Sequence, residues 1–278
     1  VTDAAIIGAG ELGGSIAHVL ARRDIVHRIE LVDPAGQIAA GKALDIMQAG
    51  PVEGFCTMLR GATDVSRVAG ASIVILADFA RPDPAADPLL TLKQAVALAP
   101  RAVIVCAGSG HRELVERATR ELHVRRERIV GSAPEALAAS VRAIVAVAVD
   151  GSAKDVSLTV VGIPPGQAVV PWDEVRIAGA PATRVISDPV RRRLAAQVGP
   201  LWPPGPHALA HAAADTISAI RGATRRAISC FVAPDDSNGR RARAVALPVR
   251  LGPGGVIRVE SPTLSVAAQV ALDGAALL

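Results

Sequence analysis

Residues 4–33, AAIIGAGELGGSIAHVLARRDIVHRIELVD, decide the fold. AAIIG is a short apolar run closed by glycine. GAGELG, Gly8 to Gly13, fits the pattern G-x-G-x-x-G. A helical spacing of apolar residues follows over 12–23, and IELVD at 29–33 is a second apolar run ending in an acid. The six-residue pattern alone is weak. Here it follows a strand, opens a helix, and is followed by Asp33 about twenty residues beyond Gly13, the offset that a dinucleotide-binding turn requires. Gly8 permits the tight turn, Gly10 lets backbone approach a pyrophosphate, and Gly13 lets the helix lie close to the sheet. The helix start, at Glu11 and Leu12, presents free N–H groups and a partial positive charge to a phosphate. Asp33 can accept hydrogen bonds from a ribose hydroxyl and would repel a 2′-phosphate. The expected cofactor is therefore NAD and not NADP.

Outward from this unit, apolar runs and helical patterns keep alternating. SIVILA at 72–77 and AVIVCA at 102–107 are continuous apolar runs, as strands buried on both faces require. RIVG at 128–131 closes the series, and helical patterns fall at 37–48, 89–98 and 113–122. This alternation predicts an α/β fold, an N-terminal Rossmann domain with a parallel sheet over 1–130. Residues 131–278 read differently. Helices are expected at 134–149, 189–198, 207–221 and 264–278, and a strand at 155–163. ISCFVA, AVALPVRLG and VIRVE, separated by turn-rich segments, suggest an antiparallel sheet in a second, α+β domain.

Half of the residues are hydrophobic but only 2% are aromatic and Tyr is absent, so the core must be built from Ala, Val, Leu and Ile. The net charge is +4, and among the basic residues only Lys42, Lys93 and Lys154 are lysine. The arginine groups at 125–126, 191–193 and 240–243 lack interleaved aromatics for stacking on bases, so no nucleic-acid partner is expected. No apolar stretch approaches the roughly 18 residues of a membrane span. Cys56, Cys106 and Cys230 are too few and too scattered for a disulfide framework. With no basic segment ahead of the first apolar run, the expected location is cytoplasmic.

The sequence resembles the lactate/malate dehydrogenase family over nearly its whole length. GAGELGGSIAHVLA and IELVDPAGQIAAGKALDIMQA match the family's opening, and PVEGF at 51–55 continues the match. VPWDEVRIAGAP at 170–181 resembles its V-P-x-W-x-x-V-x-I-A-G segment. ADTISAIRG and VALPVRLGPGGVIRVE fit its C-terminal helix and sheet. The resemblance implies two domains, NAD, a small 2-hydroxy or 2-oxo acid as substrate, and a homodimer or homotetramer. It assigns further cofactor contacts to Ala77, on the strand before the family's mobile loop, and to Ser109, where the family's T-N-P asparagine falls.

The same resemblance implies a base, an acid that orients it, and arginines that hold the substrate. The family's histidine falls on Pro164 or Pro165, in GIPPGQAVVP. Its aspartate falls on Leu137 and its carboxylate-binding arginine on Ser140, in GSAPEALAASVR. Of the two arginines on the mobile loop, Arg81 fits the first, and the second falls in 86–87. Pro82, Pro84 and Pro88 would stiffen that loop. Glu135 and Arg142 each lie two residues from a lost partner, about 200° round a helix. Four departures in three segments, beside a retained glycine turn, imply a cofactor-binding member that is impaired or silent in hydride transfer, a pseudoenzyme.

Two rivals stand beside this reading. One is an active oxidoreductase on malate or a related 2-hydroxy acid, with Arg81 on the substrate and His111 as a substitute base. His111 follows the strand AVIVC at the edge where ligands of open α/β sheets bind; the ordinary alternative is a histidine at a helix start. The other is a structural subunit without cofactor. His207 and His211, spaced i, i+4, are too few ligands for a metal site, and none is expected. His18, His27 and His123 read as surface positions, Trp172 and Trp202 as packing residues.

Overall fold

The computed structural model describes residues 3–83, 86–233 and 243–276. Six parallel strands form its first half: β1 (Ala4–Ile7), β2 (Arg28–Val32), β3 (Met58–Ala62), β4 (Ile73–Leu76), β5 (Val103–Cys106) and β6 (Ile129–Gly131). Between them run α1 (Glu11–Arg22), α2 (Gly36–Glu53), α3 (Pro88–Leu98) and α4 (Arg112–Glu121). The order across the sheet is β3-β2-β1-β4-β5-β6. Alternate residues of β1 face opposite cores, as a period of two demands. Ala4 and Ile6 pack with α1, whereas Ala5 and Ile7 pack with the α3–α4 side.

α5 (Ala133–Ala148) follows β6 directly, and the chain then enters a small three-stranded sheet and returns. The single strand expected over 155–163 is two: β7 (Val156–Ser157) and β8 (Val161–Ile163). β7 pairs in the small sheet and β8 in the large one, so the segment crosses between sheets and cannot run straight. β9 (Gln167–Val169), β10 (Arg176–Ile177), β11 (Ala180–Pro181) and α6 (Ala182–Val185) lead to α7 (Asp188–Gln197) and α8 (Pro206–Ile220). β12 (Ile228–Val232), β13 (Val245–Gly252) and β14 (Gly255–Val259) are antiparallel, as expected, and α9 (Val266–Ala276) ends the described chain. Residues 277–278 of the expected last helix, and 240–242 of an arginine group, lie outside the described residues.

β12 pairs with β6, so the parallel sheet continues without a break into β12-β13-β8-β9. Two further differences have physical causes. α2 runs on to Glu53 through Pro51 and stops only at Gly54, whose φ of +80° is left-handed and whose N–H closes on the Gly50 carbonyl at 2.8 Å. β3 escapes a reading by apolar runs because only Leu59 of MLRGA is buried. Its Gly61 lies so close under α2 that a Cβ would stand 2.2 Å from the Ala40 nitrogen.

Candidate functional site

β1 and β4 are parallel neighbours, with Ile7 paired to Leu76, so the turns that follow both strands leave the sheet side by side. The strand order reverses here, which opens a crevice at the carboxyl edge. The glycine turn is built as its sequence predicts. Gly8 has φ +107°, and a Cβ on it would stand 2.4 Å from the Asp78 carbonyl oxygen. A Cβ on Gly13 would stand 1.9 Å from the Gly8 carbonyl oxygen. Neither position has room for a side chain. The Gly10 N–H donates to the Asp78 carbonyl at 2.8 Å, and Lys42 Nζ donates to the Gly10 carbonyl at 2.6 Å. Leu12 is buried beneath the turn and Glu11 is exposed at its rim.

Asp33 is buried and ties three turns together. Its Oδ2 accepts from the N–H groups of Ala9 at 2.7 Å and Ala80 at 2.9 Å, and its Oδ1 from Ala35 at 2.8 Å. A carboxylate offers about four acceptor positions, so one remains for a ribose hydroxyl. The sequence-based reading missed Asp78. Its carboxylate Oδ1 accepts from the Gly13 N–H at 2.9 Å, and its Oδ2 lies 2.3 Å from where a Cβ on Gly10 would be. The signal available was an acid immediately after an apolar strand at the reversal of strand order.

Beside this turn lies a cavity of about 190 Å³, lined by Ile7, Ala77, Asp78, Phe79, Pro82 and His111 among others. Ala77 is buried at its wall, Ser109 is half-buried, and Arg81 is exposed on the segment leading to α3. Pro84, expected to stiffen that segment, lies outside the described residues. His111 is the N-cap residue of α4 and is half-buried. The Gly108 N–H donates to its Nδ1 at 3.1 Å. This bond places the proton of the neutral ring on Nε2. Burial lowers its pKa from the usual 6.5 to about 4, against a smaller opposing pull from Asp78.

The second half supplies no proton carrier at the positions named above. Pro164 is buried and Pro165 exposed after β8. Leu137 is fully buried in an apolar cluster with Val141, Val160 and Leu194. Ser140 turns its hydroxyl back to the Ala136 carbonyl at 3.1 Å. Glu135 is buried, but its partners are cations and backbone. Arg142 reaches its Oε1 at 2.9 Å and Arg226 at 3.2 Å, and its Oε2 accepts from the Ser229 N–H at 3.1 Å. Arg142 is thereby paired with the Glu135 carboxylate. His211 is exposed, its Nδ1 2.9 Å from Arg23 Nη2, and desolvation and that guanidinium lower its pKa. His207, His27 and His123 are exposed, whereas His18 is half-buried between α1 and α2. Trp202 packs edge-on against Phe231, with ring centroids 6.1 Å apart. No helix among the described residues is long and apolar enough to cross a membrane.

The glycine turn, the start of α1 and the Asp33 carboxylate supply the groups a dinucleotide site needs, with the Asp78 side chain lying beside Gly10. No family model matches the chain. It is 30% identical over 289 residues to the malate dehydrogenase of Desulforudis audaxviator, across 96% of this chain and 93% of that one. It is 28% identical over 291 residues to the malate dehydrogenase of Thermomicrobium roseum, across 98% and 94%. Its fold superposes on the malate dehydrogenase of Salinibacter ruber with a TM-score of 0.86 at 23% identity, covering 99% of this chain and 94% of that one. A lactate dehydrogenase from Cryptosporidium parvum, complexed with lactic acid and nicotinamide adenine dinucleotide, gives 0.88 at 21% identity with the same coverage. An α/β sheet with this strand order, a glycine turn at its reversal point and a relative matched almost end to end agree: the chain belongs to the lactate/malate dehydrogenase family.

Proposed function

We propose that the protein binds NAD(H) at the carboxyl edge of β1, β2 and β4 and is impaired or silent in the family's hydride transfer. Gly8, Gly10 and Gly13 admit the diphosphate, the first N–H groups of α1 at Glu11 and Leu12 face it, and Asp33 takes a ribose hydroxyl. Ala77 and Ser109 border the remainder. Residues 1–130 form the cofactor half and 131–278 close over the substrate side, in a cytoplasmic homodimer or homotetramer.

When bound, the cofactor supplies or accepts hydride, and the chain must move the accompanying hydroxyl proton. The proposal is supported by the chemistry of the residues at the positions that the family resemblance assigns to carrying that proton and holding the substrate. Leu137 is sealed in an apolar cluster, and Pro164, Pro165 and Ser140 offer no titratable group near neutral pH. General acid–base catalysis typically contributes about 10²–10⁴-fold.

The name carried by the relatives favours a second reading, an active NAD-dependent oxidoreductase on malate or a related 2-hydroxy acid. Arg81 would then hold the substrate carboxylate and His111 would serve as base. The state of His111 argues against this. Its one lone pair accepts from Gly108, and a pKa of about 4 makes it a weak proton acceptor at neutral pH.

Calorimetric titration with NADH, paired with steady-state assays on malate, oxaloacetate, lactate and pyruvate, separates the readings. Saturable NADH binding is expected, with turnover at least about a thousandfold below the 1–10³ s⁻¹ of ordinary enzymes. Ordinary turnover on any of the four acids would overturn the impaired reading. Absence of NADH binding would leave only the structural subunit.

A further inference from the structure

Asp78 stands in the place that a diphosphate needs. In a dinucleotide turn the second glycine is bare so that a phosphate can come close to backbone at the helix start. Here the space beside Gly10 holds the Asp78 carboxylate, with Oδ2, Cγ and Oδ1 all within 2.7 Å of where a Cβ on Gly10 would be. The same carboxylate accepts the Gly13 N–H at 2.9 Å, a donor at the positive end of α1. Its backbone is fixed by the bond from the Gly10 N–H. The side chain is exposed to solvent, so rotation about its own bonds can carry it out of the turn. Other charged groups at this end include buried Asp33, held on the Ala9 and Ala80 N–H groups, Glu11 at the rim, and Lys42, which is bound to the Gly10 carbonyl.

We infer that Asp78 is an internal anion seated at the N-terminus of α1, where it competes with the diphosphate of the cofactor and holds cofactor affinity down. The inference rests on the proposed NAD(H) site and concerns its regulation. A dinucleotide must displace the carboxylate from Gly13 and tolerate its charge nearby. Removing that charge therefore tightens binding, although it weakens the free protein by taking away a helix cap.

The test is an NADH titration of the wild-type chain, Asp78→Ala and Asp78→Asn, at low and at high salt, with thermal melts of each without ligand. Asp78→Asn keeps the shape and removes the charge, so it reports even if the alanine variant folds poorly. Both variants are expected to bind NADH about tenfold tighter than wild type at low salt, with the gap narrowing as salt screens the charge. The ligand-free Tm of Asp78→Ala should fall by about 2–4 °C for loss of the cap. Equal NADH affinity in all three proteins would overturn the competition and leave the cofactor site standing. No NADH binding by any of the three would overturn both.

Discussion

Gly13 shows how a single missing side chain sets a site. A methyl group there would overlap the Gly8 carbonyl, 1.9 Å away, so the turn would have to move off the helix. Gly13→Ala is therefore expected to cost about 1–3 kcal/mol of stability, read by urea denaturation, and to abolish NADH binding. An unchanged Kd would contradict the fitted turn. His111 makes a different prediction. Its pKa is about 4 in the fold and near 6.5 when unfolded, so the neutral ring belongs to the native state. Its contribution is whole above pH 6.5 and is lost as pH falls through about 4. Asparagine keeps an acceptor for the Gly108 N–H without titrating there. The Tm of His111→Asn should fall less steeply than that of wild type across this pH range; parallel curves would refute the half-buried neutral imidazole. The glycines were legible in the sequence because their spacing is fixed by backbone sterics. Asp78 was not, since an acid after a strand is ordinary until the neighbouring turn folds against it.

At the scale of elements, the first-half strands buried on both faces were readable as apolar runs, to within a residue or two. β1, β4 and β5 are buried at every position. β3 was not readable, being an edge strand with one buried residue, and neither was the division of 155–163 between two sheets. That division depends on partners far along the chain, such as Ser229, whose Oγ accepts the Val160 N–H at 2.9 Å. Glu135 of α5 is likewise a tertiary feature. It anchors α5 to β12 through the Ser229 N–H and binds Arg142 and Arg226. Glu135→Ala takes this partner from Arg142 and the Ser229 N–H, while Arg226 keeps Asp215 at 2.8 Å, and should destabilise the fold by about 3–5 kcal/mol in denaturant titration. A loss under about 1 kcal/mol would mean that the cluster contributes little.

Across the whole molecule, the Rossmann half and the family could be read from sequence because they rest on local spacing. The assembly of the second half could not, because β12 and β13 extend the sheet from positions remote in the chain. The proposed oligomer has a direct check. Leu44, Met47 and Val52 of α2 are exposed, and light scattering should give at least twice the 28.4 kDa of one chain; a mass of one chain would contradict it. The central proposal concerns what surrounds the reacting atom, so a crystal structure with NADH and a 2-oxo acid analogue tests it most directly. Prolines 164 and 165, with Leu137 behind them, are expected beside nicotinamide C4, with no imidazole within hydrogen-bonding distance of the analogue's oxygen. A histidine there, paired to a buried carboxylate, would make the protein a working dehydrogenase.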